Sequence, residues 1–468
     1  MKRRFWTTVV LLVAMICSLV CGEWLIASAE ETEIRSYEEI LTPFAEIDAI
    51  ISRDVANGFP SAQLAVMQHG QLIYSKAWGY ANLYNEYGVP LPVRERVLAT
   101  PWTLYDVGGA SEIFTAWYAA FKLISDGVLD FDTRIVDVLG DDFVSETVGQ
   151  EWLMNGSQNM SLKLIRNWKS ILTVGDLLMN TTGFPAGPNF HKPYLADANG
   201  NAVRNVFYNA SGTREEALKI IKMMPLEVEP GTRVAASDVD AVILTFVVEA
   251  VTGKRLDEYL ALLWQKIDPR LLVTFNPLKN GCIPSDCAAT EISGNTRFGM
   301  VNFAGARTKV LRGTVHDETS YYGMEGVAGN AGLFANAESL AKILATYLSI
   351  DAGMFSGEVL DRMLVKADGA PTSMGWYVEI GEDGKVTELW LNGFTRCYAG
   401  VFPEADMVVV YLTNAIHSPV AFASDDMAEH DLAHARFAGT LYESAKQGIL
   451  FHPAVNSETV TPELIEES

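Results

Sequence analysis

The sequence predicts an α/β fold in which strands from both ends of the chain enclose a mainly helical middle. Three observations predict it: a strand pair near the start, helical periodicity from about 106 to 308, and strand patterns again in the last third. The 468 residues are 49% hydrophobic, which is enough for one large domain or two.

The early elements follow from periodicity and turn residues. Apolar residues at helical spacing predict a helix from about Tyr37 to Ala56, and the sequence Asn57-Gly-Phe-Pro60 ends it. Two strands follow, Ala62–Gln68 and Gln71–Trp78, and His69-Gly70 joins them as a hairpin turn.

The middle and the last third of the chain differ in their apolar period. Helical patterns in the middle include Arg214–Met223 and Ser237–Thr252. The last third carries four short strand patterns: Met374–Ile380, Thr387–Leu391, Tyr398–Phe402 and Met407–Thr413. A last helix is predicted at about Asp431–Gln447, and the polar, acidic segment Phe451–Ser468 is expected to be a flexible tail.

Residues 1–29 have the pattern of an export signal. Met1-Lys-Arg-Arg4 is basic, Phe5–Val20 is apolar, and Ala27-Ser-Ala29 is a small-x-small cleavage site. The sequence therefore predicts a secreted or cell-envelope protein, extracellular or periplasmic. Contact with a membrane is expected only if the signal remains uncleaved.

Charge and composition exclude several classes of function. The formal net charge of −23 disfavours binding to nucleic acid and to anionic membrane surfaces. No cofactor and no metal site is predicted, because His430 and His434, four residues apart on the last helix, lack an evident third ligand. Cys282 and Cys287 either close a small disulfide loop or remain free thiols, and the sequence leaves both open.

One segment resembles an active site whose chemistry has been removed. Thr103-Leu-Tyr-Asp-Val-Gly-Gly-Ala-Ser-Glu-Ile-Phe114 is similar to the start of the catalytic helix in the serine β-lactamase and penicillin-binding protein superfamily, which reads T-L-[YF]-D-[LV]-A-S-x-T-K. The resemblance places the nucleophilic Ser on Gly109 and the Lys that takes its proton on Glu112. Because a neutral Ser needs such a base, both halves of the reacting pair are lost.

Five further segments resemble this superfamily in the same order: Tyr74–Tyr84, Lys122–Leu139, Thr173–Pro185, Leu311–Glu318 and Gly326–Phe334. The resemblance runs from about Tyr37 to about Ser444. It is greatest to the class C-like branch with D-Ala-D-Ala carboxypeptidases, related esterases and a 4B-type penicillin-binding protein. It implies a β-lactamase/transpeptidase-like domain at 30–450: an antiparallel sheet flanked by terminal helices (about 36–105 and 309–450) and an inserted, mainly helical subdomain (about 106–308).

The second and third motifs of the superfamily are also degenerate. In Pro230-Gly-Thr-Arg-Val-Ala-Ala-Ser-Asp238, the proton-shuttling Tyr of P-G-x-x-[WF]-x-Y-S-[ND] is Ala236, while Asp238 keeps a variant found in this branch. The [KH]-T-G motif falls on Leu391, Asn392 and Gly393, so its basic residue is absent. The resemblance therefore implies that no catalytic set is intact.

Two serines are candidates for a replacement nucleophile. Ser339-Leu-Ala-Lys342 matches S-x-x-K but falls where the superfamily has an ordinary surface helix. Ser111 lies two residues from Gly109, about 200° around a helix, so it is expected to face elsewhere.

Two hypotheses about function remain at this point. The first is an exported pseudoenzyme with a binding or regulatory role, whose groove takes a peptidoglycan-derived peptide or an envelope protein. The second is a working hydrolase (a D-Ala-D-Ala carboxypeptidase, an esterase or a β-lactamase-like enzyme) that uses non-family residues such as Glu112 as general acid or base. The first is preferred, because acyl transfer needs a nucleophile, a base and oxyanion donors together.

Overall fold

A computed structural model describes residues 44–153, 160–197, 199–366, 370, 372–419, 441 and 458–460. The predicted signal at 1–29, His430 and His434 lie outside these residues. Within them, no helix is long and apolar enough to cross a membrane.

The strands form one large sheet and two small ones. Their bounds are β1 Ser61–Gln68, β2 Gln71–Asn82, β3 Val97–Leu98, β4 Tyr105–Asp106, β5 Tyr194–Ala196, β6 Ala202–Arg204, β7 Val273–Phe275, β8 Leu333–Ala335, β9 Thr372–Ser373, β10 Trp376–Ile380, β11 Val386–Asn392, β12 Tyr398–Phe402, β13 Met407–Thr413 and β14 Glu458–Val460. The large sheet has the order β14-β2-β1-β13-β12-β11-β10-β9, with β3 also paired to β2. Its pairs are antiparallel except for β14 on β2, so the predicted antiparallel sheet is confirmed.

The helices occupy the segment between the two groups of strands and its flanks. Their bounds are α1 44–56, α2 Ala116–Ser125, α3 Ile135–Leu139, α4 Asp142–Ser145, α5 Leu162–Ile171, α6 Val174–Leu178, α7 Arg214–Met223, α8 Asp238–Thr252, α9 Leu256–Ile267, α10 Glu318–Gly323, α11 Ala337–Leu344 and α12 Gly357–Met363. A 3-10 helix, Gly108–Phe114, precedes α2.

The two central strands divide the core into two layers. All residues of β1 and β13 are buried, and alternate side chains point to opposite faces. On one face, Leu64 and Val409 pack with Ile47 and Ile51 of α1. On the other face, Ala65 and its neighbours join the larger core formed with the helices.

Helices α2 and α8 lie at the centre of that larger core. In α2 the residues 116–123 are buried, and in α8 the residues 239–248 are buried. A helix that is apolar all round is typical of a fully enclosed position. The segments that resemble the first and second catalytic motifs lead directly into these two helices, so the candidate site is anchored to the buried core.

The structure differs from the sequence prediction at two places. The predicted strand Met374–Ile380 begins at Trp376, because Met374 (φ 49°) and Gly375 (φ 85°) form the two-residue turn between β9 and β10. The segment expected to be a flexible tail contains β14, which pairs with Lys76–Trp78 and so satisfies part of the free edge of β2.

The structure also bears on the predicted last helix and on the state of the two cysteines. Of the predicted last helix, Asp431–Gln447, residue 441 alone is described, and it is helical. Cys282 and Cys287 are both free thiols. Cys287 is buried against Leu104 and Phe334, and Cys282 packs at the edge of this cluster.

Candidate functional site

The Gly109 segment is held in place by backbone contacts on both sides. Asp106 accepts hydrogen bonds from the backbone N–H of Gly108 (3.0 Å) and of His316 (2.7 Å). At the other end, the Thr115 hydroxyl donates to the carbonyl oxygens of Ser111 and Gly329, both at 2.9 Å. These bonds hold the 3-10 helix between β4 and α2.

The structure brings Gly109 beside the residues that resemble the third motif. A Cβ atom built on Gly109 would lie 3.8 Å from the Gly393 Cα and 4.0 Å from the Asn392 carbonyl oxygen, which are ordinary contact distances. A Cβ on Gly393 would lie 2.8 Å from the Gly109 nitrogen and 2.9 Å from the Val107 oxygen. Gly393 is therefore required for the close approach, whereas Gly109 is not.

Glu112, at the position of the lost Lys, lies in an acidic environment. Its side chain keeps some accessible surface, yet the surrounding protein removes most of its hydration. This desolvation raises the pKa of Glu112 well above its usual value, and the charges of Asp238 and Asp240 raise it further. The carboxyl group of Glu112 therefore favours its protonated form, the opposite of a base.

Asp238 is the first residue of α8. Ser237 caps this helix: its hydroxyl accepts from the N–H groups of Val239 (3.1 Å) and Asp240 (3.4 Å). Burial raises the pKa of Asp238 to about 8, and the nearby charge of Asp317 acts in the same direction, against hydrogen bonds from Thr319 and Asn330.

Asp240 is a functional candidate that sequence reasoning missed. It is fully buried in the first turn of α8, and one of its carboxylate oxygens accepts from the Thr182 hydroxyl at 2.6 Å. The other oxygen has no hydrogen-bond partner among the described residues, and burial raises the pKa of Asp240 well above its usual value. The spacing Asp238-x-Asp240 at a helix start was visible in the sequence, but its burial was not.

A cavity of about 420 Å³ opens beside the position of the lost Tyr. Ala236 is exposed and lines it, together with Phe184, Phe207, Met224 and Gly187. A Cβ built on Gly187 would lie 3.6 Å from an Asp238 carboxylate oxygen, so this lining residue is close to Asp238, which does not itself line the cavity. The cavity has the size of a small-molecule site.

The segment His316-Asp317-Glu318 supports one side of the site. His316 Nε2 lies 2.9 Å from Glu291, and Arg297 contacts Glu291 (3.0 Å) and Glu318 (2.9 Å). Phe394, in the turn after Gly393, is 47% exposed and stacks on His316 with ring centroids 5.3 Å apart. Sequence reasoning missed Glu291 and Arg297, because nothing in their local pattern indicates a contact with a distant segment.

No replacement nucleophile is evident among the described residues near Gly109. Ser111 is fully buried within the core. Cys397 is buried, and burial raises the pKa of its thiol to about 12. Ser339 and Lys342 act structurally: the Ser339 hydroxyl accepts from Leu272 N–H at 2.8 Å, and Lys342 pairs with Asp268. Within the same residues, no group of three His, Cys, Asp or Glu side chains could hold a metal ion.

Comparison with known proteins identifies the scaffold. A family model described as Beta-lactamase matches residues 47–434. The chain belongs to this family. It is 32% identical over 426 residues to an Escherichia coli (strain K12) protein named "Putative D-alanyl-D-alanine carboxypeptidase", a match that covers 88% of this chain and 90% of the relative.

Solved structures share the fold. An octameric penicillin-binding protein homologue from Pyrococcus abyssi has a TM-score of 0.57 at 19% identity. The match covers 85% of this chain and 77% of the homologue. A simvastatin synthase variant from Aspergillus terreus has a TM-score of 0.59 at 16% identity. That match covers 87% of this chain and 98% of the synthase. The β-lactamase/transpeptidase-like fold is thus shown.

The two glycines at the contact should respond oppositely to substitution. Gly109→Ala should leave the free energy of unfolding unchanged or raise it by up to about 1 kcal/mol, because the new methyl has space and stiffens the unfolded chain. Gly393→Ala should cost about 2 kcal/mol or more, because the methyl meets backbone atoms at 2.8–3.0 Å. Urea unfolding of both variants measures this difference, and equal effects would contradict the described approach.

The pKa of Asp238 predicts a pH-dependent effect of its replacement. With a pKa of about 8 in the folded protein and near 4 when unfolded, Asp238 binds a proton in the folded state alone across that interval. Its contribution to stability therefore falls as pH rises through this range. Asp238→Asn should be stabilising relative to the parent by on the order of 2 kcal/mol more at pH 8.5 than at pH 5.

Thermal unfolding of the parent and the variant at the two pH values measures this difference. Asp383→Asn, at an exposed turn where hydrogen bonds with Lys385 lower the pKa of the carboxyl, is the matched control. Its effect should not change above pH 5. A constant effect of Asp238→Asn would show that Asp238 titrates normally.

Proposed function

We propose that this chain is an exported, catalytically inactive member of the beta-lactamase family that binds a ligand or partner protein at the cell envelope. The observation that carries the proposal is Gly109: the position that faces Asn392 and Gly393 has room for a side chain but has none. Acyl transfer in this family begins with attack by that side chain, so the first covalent step lacks its nucleophile.

The surrounding groups support the same proposal. Burial and, to a smaller extent, the charges of Asp238 and Asp240 raise the pKa of Glu112 well above its usual value, which favours the protonated carboxyl group over the carboxylate that a base requires. Ala236 has no group with which to shuttle a proton, and Leu391 has no charge for a substrate carboxylate. The scaffold around these positions remains packed, which favours a retained groove over a decayed fold.

Export and the nature of the ligand belong to the same proposal. Residues 1–29 have the n-region, apolar core and cleavage pattern of a signal peptide. The name of the E. coli relative refers to D-alanyl-D-alanine, a wall-peptide terminus. A peptidoglycan-derived peptide or an envelope protein is therefore the proposed occupant of the groove.

Covalent labelling tests the loss of chemistry. The mature chain should show no mass increase after incubation with a penicillin or with a fluorophosphonate, as measured by intact-mass spectrometry. The variant Gly109→Ser, Glu112→Lys, Ala236→Tyr restores the three family residues and should acylate, because a Ser side chain at 109 has space beside Gly393. Labelling of the parent chain at a single residue would contradict the proposal and identify a nucleophile.

A second candidate function is favoured by one observation. Burial raises the pKa of Glu112 well above its usual value, which favours the protonated state that a general acid needs in a hydrolase with non-family residues. If such a hydrolase exists, Glu112→Gln should lower its turnover by about 100-fold or more. An assay with p-nitrophenyl esters measures this, and an unchanged rate would eliminate the role of Glu112.

A further inference from the structure

Three aromatic side chains that are distant in sequence line one surface groove. Trp152 ends a 3-10 helix, Tyr194 begins β5, and Tyr208 follows β6. These residues are 42%, 62% and 37% exposed. Together with Arg204 they border a cavity of about 940 Å³. This volume lies at the upper end of the range for small-molecule sites, so the groove has room for more than one ring of a ligand.

The hairpin of β5 and β6 contributes side chains to this groove and to the cavity beside Ala236. Tyr194 pairs with Arg204 in the antiparallel register, so their side chains lie side by side on one face of the hairpin. Leu195, the next residue along β5, lines the cavity beside Ala236, and Trp152 lines both cavities. None of the described positions that resemble catalytic motifs lines the groove. The groove is therefore a neighbour of the family site and not a part of it.

Buried asparagines fix the backbone beneath the groove. The side-chain amide of Asn205 donates to the Lys192 carbonyl oxygen at 2.8 Å, and its oxygen accepts from the Phe207 N–H at 2.9 Å. The side-chain amide of Asn209 donates to the Thr213 carbonyl oxygen at 2.9 Å. The third aromatic side chain lies between these two anchored residues. Such a groove is preorganised, which lowers the cost of ordering it around a ligand.

The polar groups at the surface of the groove lack partners within the described part of the chain. There, the Arg204 guanidinium and the hydroxyls of Tyr194 and Tyr208 have no hydrogen bond or ion pair. The exposed Tyr87, outside the groove, differs: the Lys309 ammonium lies over its ring, 4.8 Å from the centroid. The groove thus offers donors, acceptors and aromatic faces that the protein itself does not use.

The chemistry of the groove favours a neutral, polar ligand that has apolar faces. Arg204 and Glu216 both line it, so the charged groups balance and favour neither an anion nor a cation. The formal net charge of −23 disfavours a phosphate-bearing ligand. A saccharide matches these properties, because its C–H faces pack on the electron-rich faces of aromatic rings while its hydroxyls both donate and accept hydrogen bonds.

We propose that this groove binds a short saccharide chain. Sugar rings pack against Trp152, Tyr194 and Tyr208, and the Arg204 guanidinium donates to oxygen atoms of the ligand. The inference goes beyond the proposed function, because the groove lies outside the positions of the lost catalytic residues and does not depend on the loss of the reaction.

Three soluble probes test the ligand class. N,N′,N″-Triacetylchitotriose has three sugar rings, N-acetylglucosamine has one, and hexaproline represents the peptides that other aromatic-lined grooves accept. Calorimetric titration of the mature chain should show saturable binding of the trisaccharide, about tenfold or more tighter than that of the monosaccharide, because additional rings are packed. No binding of the trisaccharide, equal affinity for the two sugars, or tighter binding of hexaproline would overturn the proposal.

Substitution of the aromatic residues locates the bound saccharide. Tyr194→Ala and Trp152→Ala should each weaken the trisaccharide about tenfold, since each removes a packing surface. Tyr194→Phe keeps the ring and should weaken it less than Tyr194→Ala does. Trp102→Ala is the matched control, at an exposed Trp that does not line the groove, and should leave the affinity unchanged. An equal loss in this control would show nonspecific packing and overturn the proposal.

Substitution of Arg204 tests the polar contact. Arg204→Met keeps an unbranched side chain without its donors and should weaken the trisaccharide about tenfold. Arg94→Met removes the same charge at an exposed position outside the groove and should leave the affinity unchanged. Thermal unfolding of each variant checks that the fold is kept. Folded Trp152→Ala and Arg204→Met variants that bind like the parent would overturn the proposal, and they alter separate elements of the fold.

The outcome is distinguishable from that of the covalent labelling. A parent chain that acylates with penicillin and also binds the trisaccharide contradicts the inactive assignment but leaves the saccharide site in place. A chain that remains unlabelled and does not bind the trisaccharide overturns the saccharide site alone.

Discussion

The architecture of the site depends on a backbone-to-backbone contact between the 3-10 helix at Gly109 and the turn after β11. Gly393 approaches the Gly109 nitrogen and the Val107 oxygen so closely that no side chain fits between them. The same turn places Thr395 against Gly108 and the Cys397 sulfur 3.7 Å from the Asp106 carbonyl oxygen. This contact fixes the edge of the groove and the direction in which α2 enters the core.

Residues that build this scaffold differ from those that perform the family chemistry. Asp106, Thr115, Ser237 and Gly393 hold backbone groups, and all four are present with their hydrogen bonds or close contacts. Gly109 and Ala236, where the resemblance places the nucleophile and the proton shuttle, have at most a methyl side chain. Under the proposed loss of the reaction, the core would be kept because the residues that hold the backbone are separate from these positions.

Burial of the carboxyl groups around Glu112 costs free energy, whereas the absence of a side chain at Gly109 does not. Glu112, Asp238 and Asp240 have raised pKa values chiefly because the protein removes their hydration. Nearby carboxylates act in the same direction: Asp238 and Asp240 on Glu112, Asp317 on Asp238, and Asp176 on Asp240. Apolar residues of similar volume would avoid this cost.

The sequence by itself determined the family, the strand–helix–strand order and the positions of the degenerate motifs. These features are encoded locally: the motifs are short and collinear, and helix α7 was predicted at the bounds that the structure has, Arg214–Met223. The turn at Met374 was missed because a non-glycine residue with positive φ leaves little trace in composition. The helix start at Ser237 was readable because a capping hydroxyl acts on its own neighbours.

Only the tertiary structure decided what the degenerate groove contains. The effect of Asp238 and Asp240 on Glu112 depends on contacts between distant segments: Glu112 lies in the 3-10 helix before α2, and α2 packs against α8, more than 100 residues later in the sequence. The burial that shifts their pKa values, the cavity beside Ala236 and the pairing of Arg297 with Glu291 all arise from such distant contacts. Sequence patterns report local conformation, whereas desolvation and charge interaction depend on distances that the folded chain alone establishes.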